Sequence, residues 1–371
     1  MSSQNSDKTK LNSIPAHFIA LEDYEVAAQD YIDAPTAAYI AGGSGEENTL
    51  KANRTAFNQY SIVPRLLSDC SAGHTSLEIL GQPFRHPIFL APVAYQKLVH
   101  PHGEIETARA AQAVDACMIT STQASTELEH ITSTNTGHNW FQLYFQSSRE
   151  ATLKLIRRAE AAGYTALVVT LDTPIQSVSR RAIRADFQLP SHASAVNISV
   201  DHTDEKIELS NTDSIIFQGM MRDAPKPEDI EWLVAATSLP VIAKGVLSPS
   251  DARNLLQLGA SSLIVSNHGG RALDSSPATI DVLADIRASI GPDVPILLDS
   301  GIRSGYDIFK AIALGADAVL IGRPQMYALA VAGALGVAHM IKLLRDELEL
   351  CMALAGCPTL AEINSSKISK V

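Results

Sequence analysis

The chain has 371 residues, 46% of them hydrophobic and 19% charged, which is the composition of an ordinary water-soluble globular protein. The net charge of −11 argues against nucleic acid as a main partner, because no basic field is present to neutralise phosphates. No continuous apolar run approaches the roughly 20 residues of a membrane span, and the polar start lacks a signal-peptide core. The cysteines form no CxxC pair, so we expect reduced thiols and a cytoplasmic protein.

Residues 1–85 precede the regular pattern of the chain. Helical stretches at 22–32 and 46–60 predict a helical extension packed on the main domain.

From residue 86 onward, short apolar runs alternate with amphipathic segments. The apolar runs are 87–93, 117–122, 140–145, 166–172, 240–246, 262–268, 295–301 and 318–324. Near-continuous hydrophobicity in such short runs is typical of strands buried on both faces, as in a parallel sheet.

The segments between the apolar runs have helical periodicity and end on glycine, as at 150–163 and 305–315. Eight strands that alternate with helices predict an α/β fold of the (β/α)8 TIM-barrel type, for which about 250 residues is typical. We therefore predict that residues 86–371 form the barrel domain, with the repeating pattern over 86–350.

One connection is too long for the pattern. Residues 173–227 separate the fourth strand from the next clear helix, whereas such connections usually have about 2–6 residues. The middle of this connection, 191–214, is polar and weakly patterned. We interpret the connection as a mobile lid over the barrel mouth, and an inert insertion is the alternative.

Polar and ionisable residues follow the apolar runs at their carboxyl ends, where barrels of this type hold their active sites. A single residue of this kind is more often a cap or a solvent contact, but the repetition around eight strands indicates a functional face. These residues are Ala94, Tyr95, Ser121, Gln142, Tyr144, Thr170, Asp172, Lys244, Ser266, His268, Arg271, Asp299, Arg303, Gly322 and Arg323.

The last two strands predict a phosphate site. The motifs "DSGIRSG" (299–305) and "IGRP" (321–324) each combine glycine with arginine, and barrels commonly bind phosphate at these two strand ends. Lys244 in a buried strand would be costly as a structural residue, and a cation there suits a group that becomes negative, such as a reduced flavin or an oxyanion.

The stretch "SNHGGR" (266–271) predicts the reactive centre. His268 and Asp172 are suited to act as a base and its carboxylate partner, although a core histidine bonded to the backbone is the alternative. Arg271 offers bidentate binding to a carboxylate, and Gly269 and Gly270 allow a tight turn between the two. No metal-binding motif is evident.

Several motifs together resemble one enzyme family. They are "YIAGGSGEENTLKANRTAF", "APVAYQKLVHPHGE", "FQLY", "LVVTLDTP", "KGV", "SNHGGRALD", "LDSGIR" and "IGRP". From about residue 24 to 364 the chain resembles the FMN-dependent L-2-hydroxyacid oxidases and dehydrogenases, the group of glycolate oxidase, lactate oxidase and mandelate dehydrogenase. The resemblance implies an FMN-dependent (S)-2-hydroxyacid oxidase that converts an L-2-hydroxyacid to the 2-oxoacid and passes electrons to O2, giving H2O2.

The resemblance also implies residue roles. His268 would take a substrate proton with Asp172 bonded to it, Arg271 and Tyr39 would hold the carboxylate, and Tyr144 would lie near the hydroxyl. Lys244 would lie beside the flavin N1–C2 carbonyl edge. The implied FMN contacts are Pro92, Val93, Ala94, Ser121, Gln142, Thr170, Lys244, Ser266, Asp299, Gly301, Arg303, Gly322 and Arg323.

Two features of the resemblance leave alternatives open. The family carries a second substrate arginine beyond the fourth-strand aspartate, and here Arg180 or Arg181 could fill that role, with Arg181 favoured. Ala94 near the substrate side chain favours short substrates such as lactate or glycolate, whereas Tyr95 could stack on an aromatic one such as mandelate.

The reaction and the assembly also leave alternatives. A quinone or other acceptor could replace O2, and trapped products could give lactate 2-monooxygenase-type decarboxylation. An FMN-dependent isomerase is a further alternative. For the oxidation itself, direct hydride transfer and a carbanion route both stay open. The resemblance implies a homo-oligomer, a homotetramer or an octamer.

Overall fold

The computed structural model describes residues 9–198, 209–210 and 212–371. In chain order the strands are β1 (Tyr60–Ile62), β2 (Leu77–Ile79), β3 (Gln82–Phe84), β4 (Ile88–Leu90), β5 (Met118–Ser121), β6 (Asn139–Leu143), β7 (Leu167–Thr170), β8 (Val241–Val246), β9 (Ser262–Val265), β10 (Ile296–Leu298), β11 (Ala318–Ile321) and β12 (Ile368–Lys370). The α-helices are α1 (Leu21–Ala28), α2 (Ala34–Ala41), α3 (Asn48–Thr55), α4 (Glu104–Val114), α5 (Leu128–Thr134), α6 (Arg149–Ala161), α7 (Arg180–Arg184), α8 (Pro227–Ala236), α9 (Pro249–Gln257), α10 (Thr279–Ile290), α11 (Gly305–Ala313) and α12 (Arg323–Ala355).

Strands β4 to β11 close into a parallel barrel, in which β11 pairs with β4. Helices follow the strands and pack around them, as a TIM barrel requires. The fold prediction is therefore confirmed, and all eight predicted strands are present. Most of them end before the polar residues that were included at their carboxyl ends; β9, for example, stops at Val265. Those polar residues lie in loops, where strand pairing does not hold their side chains apart.

Helix α12 is the longest helix of the described residues and has a break at Ala332 and Gly333. By length and composition alone it is long and apolar enough to cross a membrane, although it contains no continuous apolar run of that length. However, 67% of its most apolar window is buried inside the fold. Its neighbours are α1, α4 and α11, so we interpret it as a core helix of the barrel layer.

The segment before the barrel is not only helical. Its hairpin, β2 paired with β3, packs Ile79 and Phe84 against Phe89 and Trp140 and so joins the apolar interior of the barrel. Thr165, which precedes β7, contacts Gln82 of the hairpin, so the hairpin covers the amino-terminal end of the barrel. Helix α2 was not predicted as a helix. Asp33 caps it, since its side chain accepts from the Thr36 amide.

The long connection 173–227 contains α7, a short 3₁₀ turn (Ser191–Ala193) and a π-helix (Ile215–Met220). Residues 199–208 and 211 of the predicted mobile middle lie outside the described residues. The described part of that middle is anchored at Asn197, which is 5% exposed. Its side chain donates to the Thr126 carbonyl and accepts from the Leu128 amide, at 2.9 and 3.1 Å. The connection is therefore fixed to the barrel at this point.

Candidate active site

A cavity opens at the carboxyl ends of the barrel strands, and most of the predicted site residues form its wall. They are Tyr39, Pro92, Val93, Ala94, Ser121, Gln142, Tyr144, Thr170, Lys244, His268, Arg271, Asp299, Gly301, Arg303, Gly322 and Arg323. Asp172 and Ser266 lie directly behind the wall, bonded to His268 and Lys244 respectively. The strand ends therefore do converge on one site.

His268 and Asp172 form a hydrogen-bonded pair beside the cavity. Nδ1 of His268 lies 2.8 Å from Oδ1 of Asp172. Burial alone raises the pKa of the Asp172 carboxyl, but the charges of Lys244 and His268 outweigh this and leave the pKa below its usual value. The carboxylate is therefore ionised and holds the proton of Nδ1, which leaves Nε2 as the nitrogen able to accept a proton from a ligand.

Three glycines shape the backbone around this pair. His268 has a left-handed φ of 59°, and Gly269 and Gly270 follow at 64° and 74°, so the chain turns back sharply after β9. A Cβ on Gly245 would lie 2.6 Å from the Cβ of Asp172. Glycine after Lys244 thus lets the fourth and fifth barrel strands bring Asp172 and Lys244 close together.

Lys244 is 3% exposed and is bonded within the wall. Its Nζ donates to Oγ of Ser266 at 2.8 Å and lies 3.3 Å from Oδ2 of Asp299. Burial by itself lowers the pKa of this ammonium, but the carboxylates of Asp299 and Asp172 outweigh it and leave the pKa above its usual value. The wall therefore presents a permanent positive charge.

Arg271 and Tyr39 form another part of the cavity wall. Nη1 of Arg271 donates to the carbonyl oxygens of Tyr39 and Gly42, at 2.8 and 3.0 Å. Both bonds use Nη1, so Nε and Nη2 keep hydrogens for a bidentate ligand. Burial raises the pKa of the nearby Tyr144 phenol, which is therefore protonated and able to donate to a ligand oxygen.

Comparison with known proteins gives one answer across nearly the whole chain. Residues 28–370 match the model of the FMN-dependent dehydrogenase family. The chain belongs to this family. It is 52% identical over 347 residues to an L-lactate oxidase of Alicycliphilus denitrificans, covering 94% of this chain and 95% of the relative. It is 39% identical to glycolate oxidase 3 of Arabidopsis thaliana, covering 93% and 94% of the two chains.

A solved structure of mandelate oxidase with benzoyl-formic acid is similar as well. It superimposes with a TM-score of 0.86 at 39% identity and covers 95% of this chain and 98% of that chain. The predictions of family, cofactor and enzyme class are thus confirmed: this FMN-dependent dehydrogenase family member is a flavoenzyme whose cofactor is FMN.

The cavity of this FMN-dependent family member fits the cofactor on its own evidence. Nε2 of Gln142 and Oγ1 of Thr170 are buried at the wall without a hydrogen-bond partner among the described residues. Buried polar atoms are almost always bonded, so these two atoms indicate a polar ligand against the wall. The heteroatoms of the FMN ring system would supply the missing partners.

Two buried guanidinium groups, those of Arg303 and Arg323, also line the cavity. Burial, aided by the charge of Arg271, lowers the pKa of Arg323 to about 9, and burial likewise lowers the pKa of Arg303. Both groups remain cationic at neutral pH, and an anion beside them would offset the cost of that burial. The phosphate of FMN is the anion that these strand ends would hold.

The structure does not bring Arg181 to the cavity. Its guanidinium pairs with the Glu47 carboxylate, and its side chain is 46% exposed. Partial burial raises the pKa of Glu47, but the hydrogen bonds from Arg181 and the Gly43 amide outweigh this and leave the pKa lowered. Arg180 pairs with Glu46 at 3.2 Å in the same way. Neither arginine makes the predicted substrate contact in this conformation, because α7 directs both to the segment after α2.

Other cavity residues were not predicted as site residues. They are Ile40, Ala91, Gln123, Gln176, Gly269, Ser300, Ile302, Leu320 and Met326. Most are neighbours of predicted residues, so position next to a motif was the available signal. Gln176 is different, because it lies in the long connection, where no sequence pattern distinguished it.

Proposed function

We propose that this protein oxidises L-lactate to the 2-oxoacid and passes the electrons to O2, with release of H2O2. The observation that carries the proposal is that His268, hydrogen-bonded to Asp172, and Arg271 both line one cavity that also fits FMN. A base and a carboxylate-binding fork at one site are what oxidation of a 2-hydroxyacid requires.

The side chains have distinct parts in this reaction. Arg271 binds the substrate carboxylate through Nε and Nη2, and Tyr39 helps to hold it. Tyr144 donates to the substrate hydroxyl oxygen. His268 then takes the proton from the substrate at Nε2, while Asp172 stabilises the imidazolium that results. FMN, when bound, would supply the two-electron acceptor: it would take the electron pair and the second substrate proton, and with the proton held by His268 these would convert O2 to H2O2. Lys244 would supply a fixed positive charge that stabilises the reduced cofactor.

L-lactate is favoured among 2-hydroxyacids by two observations. Ala94 lines the cavity next to Val93, and its methyl group leaves less room than a glycine would, which suits a substrate with a short side chain. In addition, L-lactate oxidases of Alicycliphilus denitrificans and Roseobacter sp. share 52% and 46% identity with the chain, whereas the glycolate and mandelate oxidases compared above share 39%. Glycolate is the second candidate, since it is shorter still.

The test uses the purified holoenzyme and a substrate panel. The flavin that is released on denaturation is analysed, and we expect it to be FMN. The holoenzyme is then mixed anaerobically with L-lactate, glycolate, D-lactate and L-mandelate. We expect L-lactate to bleach the flavin fastest and to yield peroxide in air. A colourless protein that cannot be reconstituted with FMN would contradict the proposal. Bleaching without peroxide in air would instead favour a quinone or other acceptor.

We also propose that the enzyme is a cytoplasmic homo-oligomer, a tetramer or an octamer. All four cysteines are free thiols, which supports a reducing compartment. Exposed apolar side chains outside the connection, among them Leu66 at 87% exposure, support a further protein contact. Cell fractionation and light scattering of the purified protein test the two parts separately.

A further inference from the structure

The ring of Tyr39 contacts one group from the barrel and one from the long connection. The Phe187 ring stacks on it, with centroids 4.3 Å apart and planes 13° from parallel. The guanidinium carbon of Arg271 lies 4.9 Å from the centroid of the same Tyr39 ring. Phe187 belongs to the connection and does not line the cavity, so it has no part in the reaction as described above.

Phe187 is itself held firmly. Its amide donates to the Ala182 carbonyl at 3.0 Å, which closes the last turn of the chain after α7. Helix α7 in turn docks on the segment after α2. The Gly45 amide donates to the Val178 carbonyl at 3.1 Å, and the Arg180–Glu46 and Arg181–Glu47 pairs lie beside this bond. The connection thus presents the Phe187 ring to Tyr39 from a fixed platform.

We call Tyr39 and Arg271, which are proposed to bind the substrate carboxylate, the carboxylate-binding side of the site. The contacts described above join these two residues to Phe187. Arg271 is tied to the backbone of α2 by the bonds from Nη1 to Tyr39 and Gly42. The Tyr39 ring has rotational freedom about its side-chain bonds unless something packs against it. An aromatic neighbour of parallel orientation removes that freedom, and it does so without touching the substrate.

We infer that Phe187 is a positioning residue, which holds the Tyr39 ring against Arg271 in the orientation that receives the substrate carboxylate. The inference rests on the proposed function and extends it. It also gives the paired arginines a role other than substrate contact: they dock the helix that directly precedes Phe187. The rival interpretation is that Phe187 only stabilises the fold of the connection.

The test compares Phe187→Leu, which removes the ring, with Phe187→Tyr, which keeps it. We expect Phe187→Leu to raise the KM for L-lactate and the Kd for pyruvate by about 3–10-fold, the range of a lost aromatic pair. The kcat should stay within about 2-fold, and Phe187→Tyr should match the parent. The Kd is read from the flavin absorbance change on titration with pyruvate, and Phe187→Met replaces Phe187→Leu if the latter does not fold.

Leu189→Ala serves as the matched control, because it removes a partly exposed apolar side chain of the same segment. It should leave both KM and Kd unchanged. If Phe187→Leu lowered the melting temperature but left KM and Kd at parent values, the role would be structural and the inference overturned.

A double-mutant cycle separates positioning from direct contact. In a Tyr39→Leu background there is no ring to position, so Phe187→Leu should change the pyruvate Kd by less than about 2-fold. An unchanged 3–10-fold effect in that background would mean that Phe187 acts independently of Tyr39, which overturns the inference. Failure of the proposed function would look different, since the parent flavin would then not be bleached by any 2-hydroxyacid.

Discussion

The carboxyl ends of the barrel strands and the connection 173–227 both carry arginines, but these arginines do different work. Arg323 is buried, and its guanidinium donates to the carbonyls of Ile40, Gly269 and Gly42 at 2.8–3.0 Å. Arg180 and Arg181 are half exposed and pair with glutamates of the amino-terminal segment. The element that carries a side chain, rather than its chemical type, therefore decides whether it reaches the cavity.

Rigidity explains the difference. Strand ends are fixed by pairing on both sides, so a side chain there keeps one position relative to the cavity. Among its described residues, the connection docks along α7, at Phe187 and at Asn197. Gln176 lines the cavity directly, whereas Phe187 acts on the site through its contact with Tyr39.

The largest effect is expected at a strand end. His268→Gln removes the only proposed proton acceptor while keeping the size of the side chain. It should slow anaerobic flavin reduction by L-lactate by about 10²–10⁴-fold, which is the usual contribution of a positioned base. FMN should remain bound, because none of the proposed phosphate contacts is altered. Stopped-flow absorbance of the flavin measures the rate.

His130→Gln is the control for this variant, since His130 is an exposed residue of α5. L-lactate should reduce the flavin of His130→Gln at the parent rate. A parent-like rate for His268→Gln itself would show that the strand-end pair is not the base and would remove the main contrast between the two regions.

This contrast also explains how much the sequence could predict. The eight apolar runs predicted the barrel, because a strand buried on both faces leaves a local pattern that needs no knowledge of its partners. The polar residues at the ends of these runs were found for the same reason: His268 and Arg323 follow β9 and β11, and Lys244 lies within β8, so strand geometry fixes where they point.

Residues whose position depends on packing between distant segments could not be found in this way. The pairing of Arg181 with Glu47 joins residues 134 positions apart, and neither neighbourhood signals the other. The stack of Phe187 on Tyr39 has the same character. The hairpin β2–β3 was missed because each of its strands has only three residues, too few to show alternation.

The second prediction asks which region selects the substrate. Ala94→Gly enlarges the cavity by one methyl group and should raise kcat/KM for L-mandelate relative to L-lactate. A group of this size is worth roughly 1–3 kcal/mol, so the ratio should move by about 10–200-fold. Steady-state kinetics with both substrates on the parent and the variant measure it. An unchanged ratio would assign substrate selection to the connection, where Gln176 reaches the cavity.

The third prediction compares an arginine that lines the cavity, Arg271, with an arginine of the connection, Arg181. Arg271→Lys keeps the charge but loses the bidentate fork, and charge-assisted bonds of this type are worth about 1.5–3 kcal/mol. We expect kcat/KM for L-lactate to fall by about 10–100-fold. Arg181→Gln removes one surface ion pair, which is worth about 0–1 kcal/mol, so kcat/KM should fall by no more than about 5-fold.

These two variants also test whether the conformation changes when substrate binds. Equal losses in Arg271→Lys and Arg181→Gln would mean that Arg181 leaves Glu47 and contacts the substrate in the complex. The family-based expectation for the second arginine would then hold for the bound state, and the contrast between the two regions would apply to the free enzyme alone.

The smallest effect is expected in the connection itself. Phe217 of the π-helix is 72% exposed and offers a site for chymotrypsin in the free enzyme. If the connection is a lid, a bound 2-oxoacid favours its closed arrangement, and cleavage at Phe217 should slow by about 3–10-fold with saturating pyruvate. Gel electrophoresis and mass spectrometry of the fragments follow the cut, and Phe217→Ser, which should lose it, verifies the site. Equal cleavage rates with and without pyruvate would identify the connection as an inert insertion. The role of α7 and Phe187 would then be confined to the docked segment before residue 191, where Phe187 contacts Tyr39.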